Sequence, residues 1–136
     1  MKKLPILNAI ITGLIALSAS NVLAAWTEIG QNEQSTISVD TATLQSSSTT
    51  AQILSMLDFK KPGEDPKTKE PVNSIIGLNE FDCSNAKYRP LEFKVFTGNK
   101  GSGKVLIDQQ TPDSVYEAIP KGHWAAGVYN VVCKAK

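Results

Sequence analysis

Residues 98–104 read Gly-Asn-Lys-Gly-Ser-Gly-Lys, which satisfies G-x-x-x-x-G-K, the core of a phosphate-cradling loop. A working loop of that kind follows a strand and opens a helix, and a Ser or Thr after the lysine ligates magnesium. Here Lys104 is followed by Val105-Leu106-Ile107-Asp108, a strand pattern with no hydroxyl at the magnesium position. The stretch reads as a glycine-rich hairpin connection with Lys100 and Lys104 as solvated charges, and no nucleotide is expected.

Other chemistry has as little to work with. The chain has one histidine, His123, and two cysteines, Cys83 and Cys133. If the cysteines pair, a metal would have to rely on oxygen ligands, and Gly63-Glu64-Asp65-Pro66 lacks the alternating ligands of a calcium loop. Ser114 and His123 sit in no nucleophile-elbow motif. No catalytic, metal-binding or cofactor-binding residue is therefore assigned, and the protein is not expected to be an enzyme.

The first residues speak to the compartment. Lys2 and Lys3 precede an apolar run from Ile6 to Leu17, then small residues, then Val22-Leu23-Ala24. That is the three-part pattern of a secretory signal peptide, with cleavage expected after Ala24 or Ala25. The apolar run is shorter than the roughly 20 residues a spanning helix needs. No cysteine stands at the cleavage point, so no lipid anchor is expected, and residues 25–136 should be periplasmic or secreted. The full chain has 14 basic and 13 acidic residues. Losing Lys2 and Lys3 leaves a net charge of −1, which gives nucleic acid no basic footprint to bind. In an exported chain, Cys83 and Cys133 read as one disulfide, contributing about 4 kcal/mol in the chain-entropy model.

Elements must then be found for a single small domain. Residues 26–30, 35–44, 49–61, 72–83, 89–98 and 104–109 read as strands, with a further short one within 114–119. In 49–61, Ile53 and Leu57 share one face while Leu54 and Met56 share the other, so this strand is expected to be central. Residues 62–71, Pro-Gly-Glu-Asp-Pro-Lys-Thr-Lys-Glu-Pro, read as an exposed loop. Residues 122–136 fit a strand or a helix. Helical stripes run through Trp124, Val128 and Val131, and through Ala125, Val128, Tyr129 and Val132, and length favours the helix. Asp82 and Arg89 flank a short turn, where they would form a local ion pair or fix the hairpin.

The ordered motifs are similar to one family. Trp26-Thr27-Glu28-Ile29-Gly30 is followed by Ile37-Ser38-Val39-Asp40, Leu57-Asp58-Phe59, Phe81-Asp82-Cys83-Ser84-Asn85 and Tyr88-Arg89-Pro90-Leu91. A glycine turn before Lys104-Val105 and a terminal Val131-Val132-Cys133 complete the series. This order resembles the surface-adhesin protein E family of Gram-negative bacteria over essentially the whole of residues 25–136. The resemblance implies an α+β, mainly β fold: one antiparallel sheet of about six strands, with a C-terminal helix around 122–134 tied to it through Cys83 and Cys133. Trp26, Asp40, Asp82, Arg89 and Trp124 would be structural.

The resemblance also implies binding of host matrix or plasma proteins such as vitronectin and laminin, and a homodimer. An unpaired edge strand would favour such dimerisation. Lys87, Arg89 and Lys94 are the basic residues available for a protein-binding surface. They stand among Glu80, Asp82 and Glu92, so the strongly basic binding stretch of the family's adhesin is not reproduced. The alternative is a soluble periplasmic structural or accessory protein, with envelope proteins rather than host proteins as partners.

Overall fold

The computed structural model describes residues 25–134; the segment read as a signal peptide, 1–24, lies outside the described residues. Strands β1 (Trp26–Gln31), β2 (Ser35–Ser46), β3 (Thr50–Glu64), β4 (Pro71–Asp82), β5 (Lys87–Phe96) and β6 (Val105–Gln110) follow one another. They pair antiparallel in sequence order, and a two-residue β7 (Glu117–Ala118) pairs with β5 beside β6. The chain closes with the helix α1 (Trp124–Lys134). Among the described residues no helix is long and apolar enough to cross a membrane.

The register sorts side chains onto two faces. Ile37, Leu57, Ile75 and Val95 lie in one cross-strand row, and Ala51 pairs Phe81, which pairs Tyr88. These residues share the face that carries α1. Asp40, Leu54, Leu78 and Glu92 form a row on the opposite face. β3 is central and apolar on both sides: Ile53 is buried towards α1 and Met56 away from it.

The core is made where α1 meets β2, β3 and β4. Ala125, Val128 and Val132 pack on Ile37, Val39, Ala51, Ile53 and Phe81. The buried stripe is thus the one through Ala125, Val128 and Val132, and Val131 of the competing stripe stays exposed. The His123 Nδ1 accepts a hydrogen bond from the Ala125 N–H and caps the helix start, and Lys134 complements its C-terminal end. The Cys83–Cys133 disulfide, with a sequence separation of 50, ties the last turn to the end of β4. The Tyr129 hydroxyl donates to the Cys83 carbonyl at 2.9 Å, a second tie at the same place.

Two loops differ from expectation. The exposed loop read at 62–71 shrinks to 65–70, because β3 runs through Pro62 and Gly63 pairs with Val72. Pro62 falls in the irregular stretch between Asp58 and Gly63, where its missing N–H costs no ladder bond. The glycine-rich connection 98–104 does join β5 to β6, but it folds back onto β3 and β4. The Lys100 N–H donates to Asp58 Oδ1 at 2.7 Å, the Asn99 side chain donates to the same oxygen at 3.0 Å, and the Gly101 N–H reaches Ser74 Oγ at 2.9 Å. The Lys100 amide, which a phosphate would have met, meets the protein's own carboxylate, and the Gly101 amide meets a hydroxyl. Gly103 has φ +78°, and a Cβ there would lie 2.4 Å from Thr97 Oγ1, so the turn requires glycine. Lys104 is not free: its Nζ sits 3.1 Å from Glu70.

An 11-residue helix is marginal by itself. Replacing both cysteines, Cys83→Ser with Cys133→Ser, should lower the unfolding free energy by about 2–4 kcal/mol. It should also weaken the helical circular-dichroism signal before the sheet signal on urea titration. Coincident loss of both signals at an unchanged midpoint would contradict the tether's role.

Candidate functional site

The residues singled out by sequence do not converge on one centre. Asp40, 5 % exposed, accepts from the N–H groups of Ala25 and Ala42, each at 3.1 Å, so it holds the start of β1 and a bulge in β2. Trp26 pairs with it across β1 and β2. Asp82 accepts from the Ser84 and Asn85 N–H groups at 3.0 and 3.2 Å and organises the β4–β5 turn. Those hydrogen bonds, led by the Asn85 side chain, hold its carboxyl below the usual carboxylate value. Trp124 stands at the first turn of α1, edge-on to Tyr88 at 5.7 Å, with His123 against both rings.

Arg89 does not pair with Asp82. Their positions are offset in the hairpin: Asp82 faces Lys87, and Arg89 faces Glu80. The Arg89 guanidinium approaches Glu80 Oε1 at 2.9 Å through both Nε and Nη2. Its Nη1 donates to the carbonyls of Pro112 and Ser114, and its plane covers the Tyr116 ring at 5.2 Å. The Tyr116 hydroxyl donates to Glu80 at 2.7 Å and Gln52 donates at 2.9 Å. Burial would raise the Glu80 pKa, but the hydrogen bonds from Tyr116, Gln52 and Arg89 outweigh it and leave it lowered. This network fastens loop 111–116 to the sheet. Sequence reading missed Glu80, although counting back from the tip, 82 to 87 and so 80 to 89, would have found the pair.

Lys87, Arg89 and Lys94 all lie on the face opposite α1. Arg89 is turned inward, Lys94 lies 4.0 Å from Asp108, and Lys87 is exposed. Ser114 and His123 are engaged separately, Ser114 with the Pro90 carbonyl and His123 with Ala125. Among the described residues no group of three His, Cys, Asp or Glu side chains could hold a metal ion.

Two hollows remain. One, about 330 Å³, lies opposite α1 between Trp26, Leu54, Ile76, Leu78 and Phe96, with Glu92 and Asp108 at its rim. The other, about 270 Å³, lies on the helix side beside Trp124. Such an arrangement suits recognition by surface more than bond-making.

Comparison with known proteins places the chain. A family model described as surface-adhesin protein E matches residues 26–134. The fold is similar to that of Haemophilus influenzae protein E, at 10 % identity, TM-score 0.59, over 85 % of this chain and 88 % of that one. A second crystal form of protein E gives 10 % identity and TM-score 0.62, over 85 % of this chain and 91 % of that one. Protein E from non-typeable Haemophilus influenzae gives 10 % and 0.58, over 85 % and 79 %. No curated protein sequence matches.

The Glu80 carboxylate has a lowered folded pKa, so its contribution to stability is complete above the ordinary carboxylate value. It is lost as pH falls through the folded value. Glu80→Gln should cost about 1–3 kcal/mol at neutral pH, and the gap from wild type should close on acidification. A gap that stays constant with pH would show that the charge carries none of it.

Proposed function

The chain belongs to the surface-adhesin protein E family, and from that premise we propose that it is an exported, non-enzymatic protein-binding domain. The family match, spanning almost every described residue, carries the reading. Two features support it. Asp40, Asp82, Glu80 and Arg89 are engaged within the fold, while apolar surface stays open. The outer strand β6 also exposes Val105 at 44 % and Ile107 at 41 %, so its free edge can accept a partner strand or a second copy.

Export would have a consequence at the start of β1. The Ala25 N–H lies 3.1 Å from the buried Asp40 carboxylate. Cleavage between Ala24 and Ala25 would turn that neutral donor into an α-ammonium and the hydrogen bond into an ion pair. A reading as a soluble periplasmic accessory protein is favoured by one observation: of Lys87, Arg89 and Lys94, two already face carboxylates. Cell fractionation separates the readings, since a protein confined to the periplasm cannot be an adhesin.

The purified exported protein should bind vitronectin, laminin or an envelope protein saturably in a surface-binding assay. Failure against all three would overturn the reading. Intact mass should place the processed terminus at Ala25, and Asp40→Asn should lower the melting temperature; a terminus elsewhere would remove the ion pair.

A further inference from the structure

We infer that the hollow beside α1 receives one uncharged aromatic side chain with a polar tip, a tyrosine of a partner protein. This rests on the protein-binding reading above. The hollow has a simple origin. Ser55 pairs Gly77, and Gly77 pairs Phe93, in one row on the helix-bearing face. Two of those three positions, on adjacent central strands, carry almost no side chain. α1 packs on the neighbouring residues of β2, β3 and β4 and ends its coverage at Trp124. A depression of about 270 Å³ is left on an otherwise apolar surface.

Its lining says what would fit. Tyr88, Phe93 and Trp124 supply ring surfaces, and Leu57 and Ile75 supply aliphatic ones. No charged side chain lines it, so a lysine, arginine or carboxylate would lose its hydration there without a counter-charge. The floor, however, is polar. Ser55 is 3 % exposed, and its Oγ has no hydrogen-bond partner, the one such buried side-chain atom found among the described residues. Asn79, 5 % exposed, makes only a long 3.4 Å contact from its amide to the Gly77 carbonyl. An unpartnered buried hydroxyl destabilises a fold, and alanine at position 55 would avoid the cost.

A purely apolar occupant would leave the Ser55 hydroxyl unsatisfied and offer the Asn79 side chain nothing better than its long contact. A phenol serves both. Its ring lies among the aromatic walls, and its hydroxyl can both donate and accept at Ser55 and Asn79. The volume suits a single side chain rather than an extended ligand, and tyrosine is among the residues most often anchoring protein interfaces.

The test titrates the isotopically labelled exported protein with N-acetyl-tyrosinamide, followed by NMR. Saturable shifts are expected at Ser55, Asn79 and the Trp124 indole, with N-acetyl-leucinamide and N-acetyl-lysinamide inert. Ser55→Ala should raise the melting temperature while weakening the tyrosine probe by about fivefold or more. Absence of saturation, equal binding of the leucine probe, or an affinity unchanged in Ser55→Ala would each overturn the inference. The two readings fail separately. A partner protein captured with equal affinity by wild type and Ser55→Ala sinks the pocket alone. A Ser55-dependent tyrosine site in a protein that captures no partner upholds the aromatic pocket and sinks the binding reading.

Discussion

Cys83 follows the last residue of β4 and Cys133 sits in the final turn of α1, and the bond between them determines where the helix lies. One helix of 11 residues cannot cover both faces of a seven-stranded sheet, or even one face fully. Where it is tethered, Val39, Ile53 and Phe81 become core. Where it stops, at Trp124, apolar sheet surface stays open. The open apolar surface is therefore the complement of the tether, and both follow from the same two cysteines.

Among the described residues the face away from α1 carries no second helix, and carboxylates fasten the segments that fold onto it. Asp40 holds the start of β1, Asp58 holds the loop 98–104, and Glu80 holds the loop 111–116. Each accepts from backbone or side-chain donors of a distant segment and uses directional bonds where burial is scarce. This gives Gly98-Asn99-Lys100-Gly101-Ser102-Gly103-Lys104 its sense. The loop turns back so that the Lys100 N–H and the Asn99 side chain both reach Asp58, while the Gly101 N–H reaches the Ser74 hydroxyl.

Much of this was legible in the chain. Alternation in β5, the two apolar faces of β3 and the paired cysteines in a sequence that reads as exported point to a central strand, a meander and a bridge. Family resemblance was needed to decide between strand and helix at 122–134, because both periodicities are present and only packing selects Ala125, Val128 and Val132. What stayed illegible depends on register. Arg89 finds Glu80 rather than Asp82 because of the turn's length, and the pair can be counted only once that length is fixed. Pro62 is tolerated in a strand because the ladder slips there. Ser55 and Gly77 look unremarkable in sequence and become a hollow only as neighbours.

The central claim is that partner recognition uses the part of the helix-bearing face left open beyond Trp124. Hydroxyl-radical footprinting of the free and partner-bound protein reads this directly, because the two faces carry separate reporters. The account predicts that Tyr88, Phe93 and Trp124 lose reactivity on binding while Trp26 and Phe96, on the opposite face, keep theirs. Protection of Trp26 and Phe96 with Tyr88, Phe93 and Trp124 unchanged would contradict it.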